Sequence, residues 1–302
     1  MAEQNISFVE EPEQYLFRYR VCNENTLSEI ITADIWHSKI QQLNDPFELS
    51  FIFDWDEFSI SNFPKINNVL KVFPDKELTQ AYIVNQQEQL FSSLRNAIKS
   101  QIEELNRKLE QTGVCCFSQS PDNAMMWSHY ADGMKGLCLV YDLESVKKQE
   151  QFDNLKPISY QDRIEKISYK SLSARVKQRP DDQRYQFTSD SNPKLVNIKG
   201  YDFSIKLEDH STIYKKHSRW SQEKEIRNVL WAETDEELSQ SGFFENIGLG
   251  SLKAIVIGEK MAKSQRKLLE VLCKQRNIDV YIAEVVRETL SVGIRPYIQL
   301  IQ

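Results

Sequence analysis

Two apolar runs in the middle of the chain have the length of buried β-strands. Gly113–Ser118 and Gly136–Tyr141 contain no charged residue, which is typical of central strands covered on both faces. Nearer the N-terminus, Tyr15–Val21 alternates its apolar side chains with Arg18 and Arg20, and this period of two predicts a strand with one polar face. The three segments predict the framework of a β-sheet.

The clearest helical periodicity precedes the first of these apolar runs. Between Pro74 and Gly113 the chain has no glycine or proline, and apolar residues recur at spacings of three and four. These apolar positions are Phe91, Leu94, Ile98, Ile102, Leu105 and Leu109. Such spacing places them on one face, so a long amphipathic helix is predicted.

The C-terminal third has the pattern of a strand, a helix and a second strand. Leu252–Gly258 and Ile278–Val286 are mostly apolar and of strand length, and Glu259–Arg276 between them has an apolar stripe at helical spacing. A connection of this kind favours parallel pairing of its two strands through a right-handed crossover.

Together these elements predict an α+β fold in which helices pack on a mixed β-sheet. We expect residues 1–302 to form a single domain with a helical insertion at about 56–112 and a loop-rich insertion at about 144–215. Hydrophobic residues make up 40% of the chain and charged residues 27%, which is ordinary for a folded protein. No apolar run approaches the roughly 20 residues of a membrane helix, and Met1–Glu10 lacks a signal-peptide pattern. We therefore expect a cytoplasmic protein that does not enter a membrane.

The charge is unevenly distributed along the chain. The net charge of −6 argues against a general nucleic-acid coat protein, which would need an excess of cations. Between Arg163 and Arg219, however, thirteen Lys and Arg face seven Asp and Glu. This basic stretch, 163–219, could contact a nucleotide or nucleic-acid ligand, or it could be a solvated surface of mixed charge.

Cysteine and histidine spacing predicts no metal site. None of the five cysteines forms a C-x-x-C pair, and the four histidines lack a metal-binding spacing. Cys115, Cys116 and Cys138 lie in apolar runs, where a reduced thiol behaves as a small hydrophobic residue.

Four short blocks contain the residue types that carry chemistry. They are Tyr15-Leu-Phe-Arg-Tyr-Arg20, Leu43-Asn-Asp-Pro-Phe-Glu48, Met126-Trp-Ser-His-Tyr-Ala131 and Trp220-Ser-Gln-Glu-Lys-Glu-Ile-Arg227. Taken in this order over most of the chain, they resemble the bacterial domain-of-unknown-function family DUF2971. The family label itself names no reaction.

The last block is the sharpest local pattern. If it is a strand, Glu223, Glu225 and Arg227 share one face. One interpretation is a pair of carboxylates whose ionisation is set by an arginine, as catalytic sites often require. The other is a solvent-exposed row of charges with little energetic weight.

The third block is predicted to lie on a short helix capped by Ser120. Trp127 and Tyr130 would pack that helix on the sheet, whereas His129 would reach a cleft. The same aromatic residues could stack on a ring and bond to a ribose. In the second block, the turn chemistry of Asn and Asp explains Asn44 and Asp45, but it does not explain Glu48.

Two glutamates separated by one residue also resemble the E-x-E element of ADP-ribosyltransferases, although the Ser-Thr-Ser motif of one branch is absent. Arg20, then His129 and Tyr130, then Glu225 occur along the chain in the order in which that superfamily places its NAD-binding and catalytic residues. The resemblance implies NAD as substrate and a catalytic group of Glu225, Glu223 and His129. It implies that NAD contacts Arg20, Tyr19, Trp127, Tyr130, Arg227 and Glu48. We expect Arg20, Glu48, His129 and Glu225 to line one pocket.

The leading functional hypothesis is therefore an NAD-dependent ADP-ribosyltransferase or NAD-cleaving effector of bacterial defence. A first alternative is a metal-dependent nuclease that uses Asp45, Glu48, Glu223 and Glu225 around a divalent ion. A second is a non-catalytic sensor or interaction module, in which the four blocks only stabilise the fold.

Overall fold

A computed structural model describes residues 6–48, 50–62, 76–178, 195–198, 201–207, 211–231 and 241–297. Its α-helices are α1 Ser7–Glu10, α2 Glu24–Thr32, α3 Lys76–Glu110, α4 Ala124–His129, α5 Leu143–Lys147 and α6 Lys263–Arg276. Its strands are β1 Tyr15–Arg20, β2 Asp34–Lys39, β3 Phe51–Phe53, β4 Gly113–Ser118, β5 Leu137–Asp142, β6 Lys156–Pro157, β7 Ser159–Gln161, β8 Glu165–Ile167, β9 Leu172–Gln178, β10 Leu195–Ile198, β11 Tyr201–Leu207, β12 Lys215–His217, β13 Glu225–Leu230, β14 Gly242–Asn246, β15 Leu252–Gly258, β16 Asp279–Val286 and β17 Ser291–Pro296. The fold is of the α+β class, as predicted.

The chain divides into two compact units. The first consists of Met1–Glu48, Gln111–Asp162 and Lys216–Gln302, and the second of Leu49–Glu110 and Arg163–Lys215. The two segments of the second unit overlap the insertions predicted at about 56–112 and 144–215. Parts of the basic stretch 163–219, namely residues 179–194, 199–200 and 208–210, lie outside the described residues.

The first unit contains a mixed sheet of ten strands among the residues that the structure describes. Eight of them follow the order β14-β2-β4-β1-β5-β15-β16-β17, and β13 pairs with β4 and β6. β15 and β16 are parallel, with Ile255 opposite Val280, whereas the other pairs within this sheet are antiparallel. The predicted parallel strand-helix-strand unit is therefore confirmed.

The sheet forks at β4. One edge of β4 pairs with β13 along its whole length. The other edge is shared by two strands, because β1 pairs with it at Ser118 and β2 at Gly113 and Val114. Between these points the side chain of Arg18 joins the strands, donating to the carbonyl oxygens of Cys116 at 3.4 Å and Trp36 at 3.2 Å.

Apolar side chains pack on both faces of this sheet, as the continuous apolar runs predicted. On the face covered by α2 and α6, the cluster includes Leu16, Ile30, Cys115, Leu139, Ile255 and Leu269. On the face covered by α4, it includes Phe17, Tyr19, Trp127, Cys138, Val140 and Val256. Cys115 and Cys138 are thus core residues, as expected from their apolar neighbours.

The second unit contains the long helix α3. Phe91, Leu94 and Ile98 lie on it at the predicted spacing, and Leu94 and Ile98 are buried. The described strands of this unit form a sheet of order β10-β11-β9 and a parallel pair of β3 with β8. Phe58 stacks on Phe91 with ring centroids 5.0 Å apart.

Candidate functional site

A cavity of about 260 Å³ opens in the first unit at the fork of the sheet. Its walls come from β1, β2, β4, β13 and α4, and from the turn that ends at Glu48. The charged side chains that line it are Arg18, Arg20, Glu48, Lys216, Glu223, Glu225 and Arg227. Three of the four sequence blocks contribute side chains to this charged lining, and the Met126–Ala131 block contributes Met126 and Tyr130.

Lys216 lies at the centre of the acidic residues. Its Nζ atom is 2.7 Å from Oε2 of Glu223 and 3.2 Å from Oε2 of Glu225, and Oε2 of Glu48 lies 4.0 Å away. The ammonium group also faces the ring of Trp220 at 4.9 Å from its centroid, a favourable cation–π geometry. All four charged side chains are at least 96% buried.

Arg227 provides the second cation of this cluster. Its Nη1 atom donates to Oε1 of Glu48 at 2.6 Å, and its Nε atom donates to Oε1 of Glu225 at 2.8 Å. The side chain is completely buried. The alternative of a solvent-exposed row of charges is therefore wrong, because the charges of Glu223, Glu225 and Arg227 are withdrawn from water.

Glu223 and Glu225 do not belong to one strand, contrary to the prediction. Ser218–Glu223 is a 3₁₀-helix, the following residue Lys224 has a left-handed φ of 45°, and β13 begins at Glu225. This turn between them is held by a hydrogen bond from Ser118 Oγ to the carbonyl of Glu223 at 2.7 Å. The two carboxylates nevertheless meet, because both bind Lys216.

Burial and ion pairing have opposite effects on the pKa values of Glu225 and Lys216. Burial alone would raise the pKa of Glu225, but Arg227 and Lys216 outweigh it and lower that pKa to about 2. For Lys216, burial favours a lower pKa, whereas Glu225 and Glu223 raise it above its ordinary value. Glu225 is therefore ionised and Lys216 protonated throughout the physiological range.

Tyr130 connects the acidic cluster to the Asn44–Glu48 turn. Its hydroxyl donates to Oε1 of Glu223 at 2.5 Å and accepts from Nδ2 of Asn44 at 2.6 Å. Burial and then Glu223 raise its pKa above the ordinary value. The turn itself is closed by Asp45, whose Oδ1 accepts from the backbone N–H of Phe47 at 2.9 Å, which explains Asp45 as turn chemistry.

The basic residues of β1 form a second ionic group. Nε of Arg18 lies 3.1 Å from Oε1 of Glu29, and Nε of Arg20 lies 3.8 Å from Oε2 of the same carboxylate. Tyr141 also donates to Glu29, at 2.8 Å. Side chains alternate along a strand, so Arg20 leaves β1 on the face opposite Glu225. Both residues nevertheless line the same cavity.

Two predicted site residues lie elsewhere. Trp127 is fully buried, its Nε1 donates to the carbonyl of Pro121 at 2.9 Å, and it meets Tyr19 edge to face; it is a core residue and does not contact the cavity. His129 is exposed and is not among the residues that line the cavity. The cleft position predicted for His129 is therefore wrong, because the end of α4 turns that side chain outward. Tyr19 lines the cavity, but its hydroxyl is bonded to the carbonyl of Ser120 at 2.7 Å.

The sequence interpretation missed Lys216, Arg18 and Glu29. Lys216 is one of several lysines in the basic stretch 163–219, and nothing in its sequence neighbours distinguishes it from the others. Arg18 and Arg20 share the same strand periodicity, so the sequence does not distinguish them as candidate site residues. Glu29 lies within an ordinary amphipathic helix, where a glutamate is usually exposed.

Within the described ranges, no group of three or more His, Cys, Asp or Glu side chains is arranged to hold a metal ion. No helix of the described chain is both long and apolar enough to cross a bilayer.

The first unit thus defines an α+β protein with a buried ionic cluster at a fork in its sheet. Residues 126–228 of the 302-residue chain match the family model DUF2971, whose description is a protein of unknown function. The match contains the blocks that begin at Met126 and Trp220, and it confirms the predicted resemblance over this part of the chain. No curated protein and no solved structure matches the chain, and the resemblance to ADP-ribosyltransferases stays a prediction.

Proposed function

We propose that the cavity binds NAD and cleaves the bond between its nicotinamide and its ribose, as an ADP-ribosyltransferase or NAD-cleaving enzyme does. The observation that carries this proposal is the pair of carboxylates, Glu223 and Glu225, at 2.7 and 3.2 Å from one ammonium group in the cavity wall. Carboxylates of fixed charge suit a reaction in which positive charge develops on a sugar. An effector role in bacterial defence would follow from the same activity.

The proposed step breaks the bond from ribose C1′ to the pyridinium nitrogen, and its electron pair stays on nicotinamide. Glu225 would stabilise the oxocarbenium-like charge on the ribose, as carboxylates do in sugar hydrolysis, because Arg227 and Lys216 keep it ionised. Water or an acceptor hydroxyl then bonds to C1′, and its proton passes to Glu223. The hydrogen bond from Tyr130 holds Glu223 in position for this transfer.

The size of the cavity limits how NAD would bind. At about 260 Å³ it is smaller than the roughly 300–1,000 Å³ of pockets that enclose drug-sized ligands. It would therefore enclose the nicotinamide and its ribose, and leave the adenosine part of NAD outside.

The test is release of nicotinamide from NAD by the purified full chain, followed by chromatography. Replacing Glu225 with Gln preserves its shape and removes its charge, so we expect Glu225→Gln to lower the rate by roughly a hundredfold or more. Glu288→Gln, at an exposed turn, is the matched control and should retain the wild-type rate. A Glu225→Gln enzyme that is folded and as active as wild type would overturn the proposal.

A second candidate, the non-catalytic module, is favoured by the completeness of the ion pairs. Both oxygens of Glu225 already bind cations, and Arg227 is completely buried, as expected of a cluster that only fixes the fold. In that case wild-type protein releases no nicotinamide, and Glu225→Gln lowers the thermal midpoint.

For the nuclease alternative, Lys216 and Arg227 occupy the space between the carboxylates where a divalent ion would bind. Cleavage of RNA or DNA with magnesium would favour it.

A further inference from the structure

One carboxylate oxygen in the lining of the cavity at the sheet fork is buried and has no hydrogen-bond donor. It belongs to Glu48, whose side chain is only 3% exposed. Oε1 of Glu48 accepts from Nη1 of Arg227 at 2.6 Å, whereas Oε2 accepts no hydrogen bond from the described residues. Nζ of Lys216 lies 4.0 Å from Oε2, which is too far for a hydrogen bond. Because a buried charged oxygen without a donor is costly, Oε2 favours a ligand that brings one.

The groups around this oxygen have an excess of negative charge. Three carboxylates meet there, those of Glu48, Glu223 and Glu225. In the described part of the chain, the cations that pair with them are Lys216 and Arg227. Since each of these side chains is at most 4% exposed, water screens the excess charge only weakly. The donor that suits Oε2 is therefore one that also carries positive charge.

The contacts of Glu48 indicate a compact cation. Arg227 already occupies Oε1, so a ligand meets a single oxygen of this carboxylate. A planar guanidinium gains most when it binds two carboxylate oxygens side by side, whereas a primary ammonium group is a point charge with three donors. A primary ammonium group therefore fits Oε2 better than a guanidinium group does. A quaternary ammonium group fits poorly, because it has no N–H donor.

A second part of the lining limits the ligand to one positive charge. Arg18 and Arg20 also line the cavity, and both pair with the same carboxylate, Glu29. Arg18, ahead of burial, lowers the pKa of Arg20, which reflects repulsion between the two guanidinium groups. A second cation on the ligand would add to this repulsion.

We propose that the cavity binds a small primary alkylammonium ion, whose ammonium group donates to Oε2 of Glu48 and whose alkyl chain carries no second cation. Apolar side chains of the lining, among them Phe17, Leu43 and Val114, would contact the alkyl chain. The volume of about 260 Å³ is below that of pockets for drug-sized ligands, so it suits a short chain and does not hold the amine and NAD together. This inference goes beyond the proposed function and does not depend on it.

Calorimetric titration of the full chain with a series of butyl compounds tests the inference. Butylammonium has both the charge and the N–H donors, butan-1-ol has a donor without the charge, and butyltrimethylammonium has the charge without a donor. We expect butylammonium to bind roughly tenfold more tightly than either, or better, which is the ratio that one charged hydrogen bond provides. Butane-1,4-diamine should bind more weakly than butylammonium because of its second cation, and butylguanidinium because of its planar shape.

Variants assign the ammonium group to its position. Glu48→Gln keeps the shape of the side chain and removes its charge, so it should weaken the binding of butylammonium by roughly tenfold or more. Glu288→Gln, at an exposed turn, is the matched control and should retain the wild-type affinity. Thermal melting shows whether each variant is folded. If Glu48→Gln is not, Arg20→Gln provides the test, because removing this cation should bring the affinity of the diamine closer to that of butylammonium; an unchanged ratio would contradict the inference.

The outcomes separate this inference from the proposed function. If butylammonium binds no more tightly than butan-1-ol, water alone satisfies Oε2 of Glu48 and the inference is wrong. Equal binding by wild type and a folded Glu48→Gln variant would also overturn it. If butylammonium binds as expected and NAD releases no nicotinamide, the inference holds and the proposed function fails. If nicotinamide is released and no amine binds, the reverse is true. Where both hold, butylammonium should inhibit the release competitively.

Discussion

Lys216 holds the acidic cluster together at the level of single residues. Its ammonium group lies among Glu48, Glu223 and Glu225, which would repel each other in its absence. No pattern in the sequence marks this lysine, because its partners come from a distant turn, a 3₁₀-helix and a strand. Glu225 and Arg227 were predictable from their spacing of two, whereas the cation that makes Glu223 part of the same cluster was not.

Trp127 and His129 lie two residues apart on α4 and differ in burial. Trp127 is completely buried and packs on Tyr19, whereas His129 is exposed. Trp127→Ala should therefore lower the free energy of unfolding by about 3–5 kcal/mol, and His129→Ala by less than about 0.5 kcal/mol. Urea denaturation at neutral pH measures both. Equal losses in the two variants would contradict the assignment of Trp127 to the core.

At the level of elements, the helix α4 begins later than its capping signal predicts. Ser120 is the predicted cap, but the helix begins after Asn123, whose Oδ1 accepts from the backbone N–H groups of Met125 and Met126 at 3.0 and 3.3 Å. Nδ2 of Asn123 also donates to the carbonyl of Gln222. One side chain thus begins the helix and ties it to the segment that carries Glu223.

The cap assignment is testable by comparing three variants. Asn123→Ala should destabilise the protein by about 0.5–2 kcal/mol, because it removes the acceptor for two helix N–H groups. Asn123→Asp keeps that acceptor and should retain most of the stability, while Ser120→Ala should cost less than Asn123→Ala. Thermal melting of the three variants gives the order of their stabilities. If Ser120→Ala loses more stability than Asn123→Ala, the helix is capped by Ser120, as the sequence predicts, and not by Asn123.

For the whole molecule, His37 should determine part of the stability at mildly acidic pH. It is fully buried, with Nε2 3.0 Å from Nδ2 of Asn228, and burial and Arg18 lower its pKa from 6.5 to about 3. The unfolded chain therefore binds a proton that the folded chain does not bind. This contribution to stability is complete above about pH 6.5 and is lost as the pH falls toward 3, by up to about 1.4 kcal/mol per pH unit.

Denaturation in urea at several pH values measures this slope. His37→Gln keeps an acceptor for Asn228 and cannot titrate, so its stability should fall less steeply than that of wild type between about pH 6.5 and 4. His129→Gln, at an exposed position, serves as the matched control and should keep the wild-type slope. Identical slopes for wild type and His37→Gln would show that His37 does not titrate on unfolding.

The sequence by itself determined the elements whose signals are local. Apolar runs gave β4 and β5, helical periodicity gave α3, and the strand-helix-strand pattern gave the parallel pair of β15 and β16. These predictions held because hydrophobic periodicity depends on which face of an element is buried, and neighbouring residues record that directly. The α+β class followed from the same signals.

Only the tertiary structure decided which charges meet. β1 and β2 share one edge of β4, and Arg20 and Glu225 line one cavity although they leave the sheet on opposite faces. The same packing places Lys216 between carboxylates that are far apart along the chain, and it turns His129 outward. Ionic interactions depend on distance and burial in space, and a single sequence specifies neither for residues that only the fold brings together.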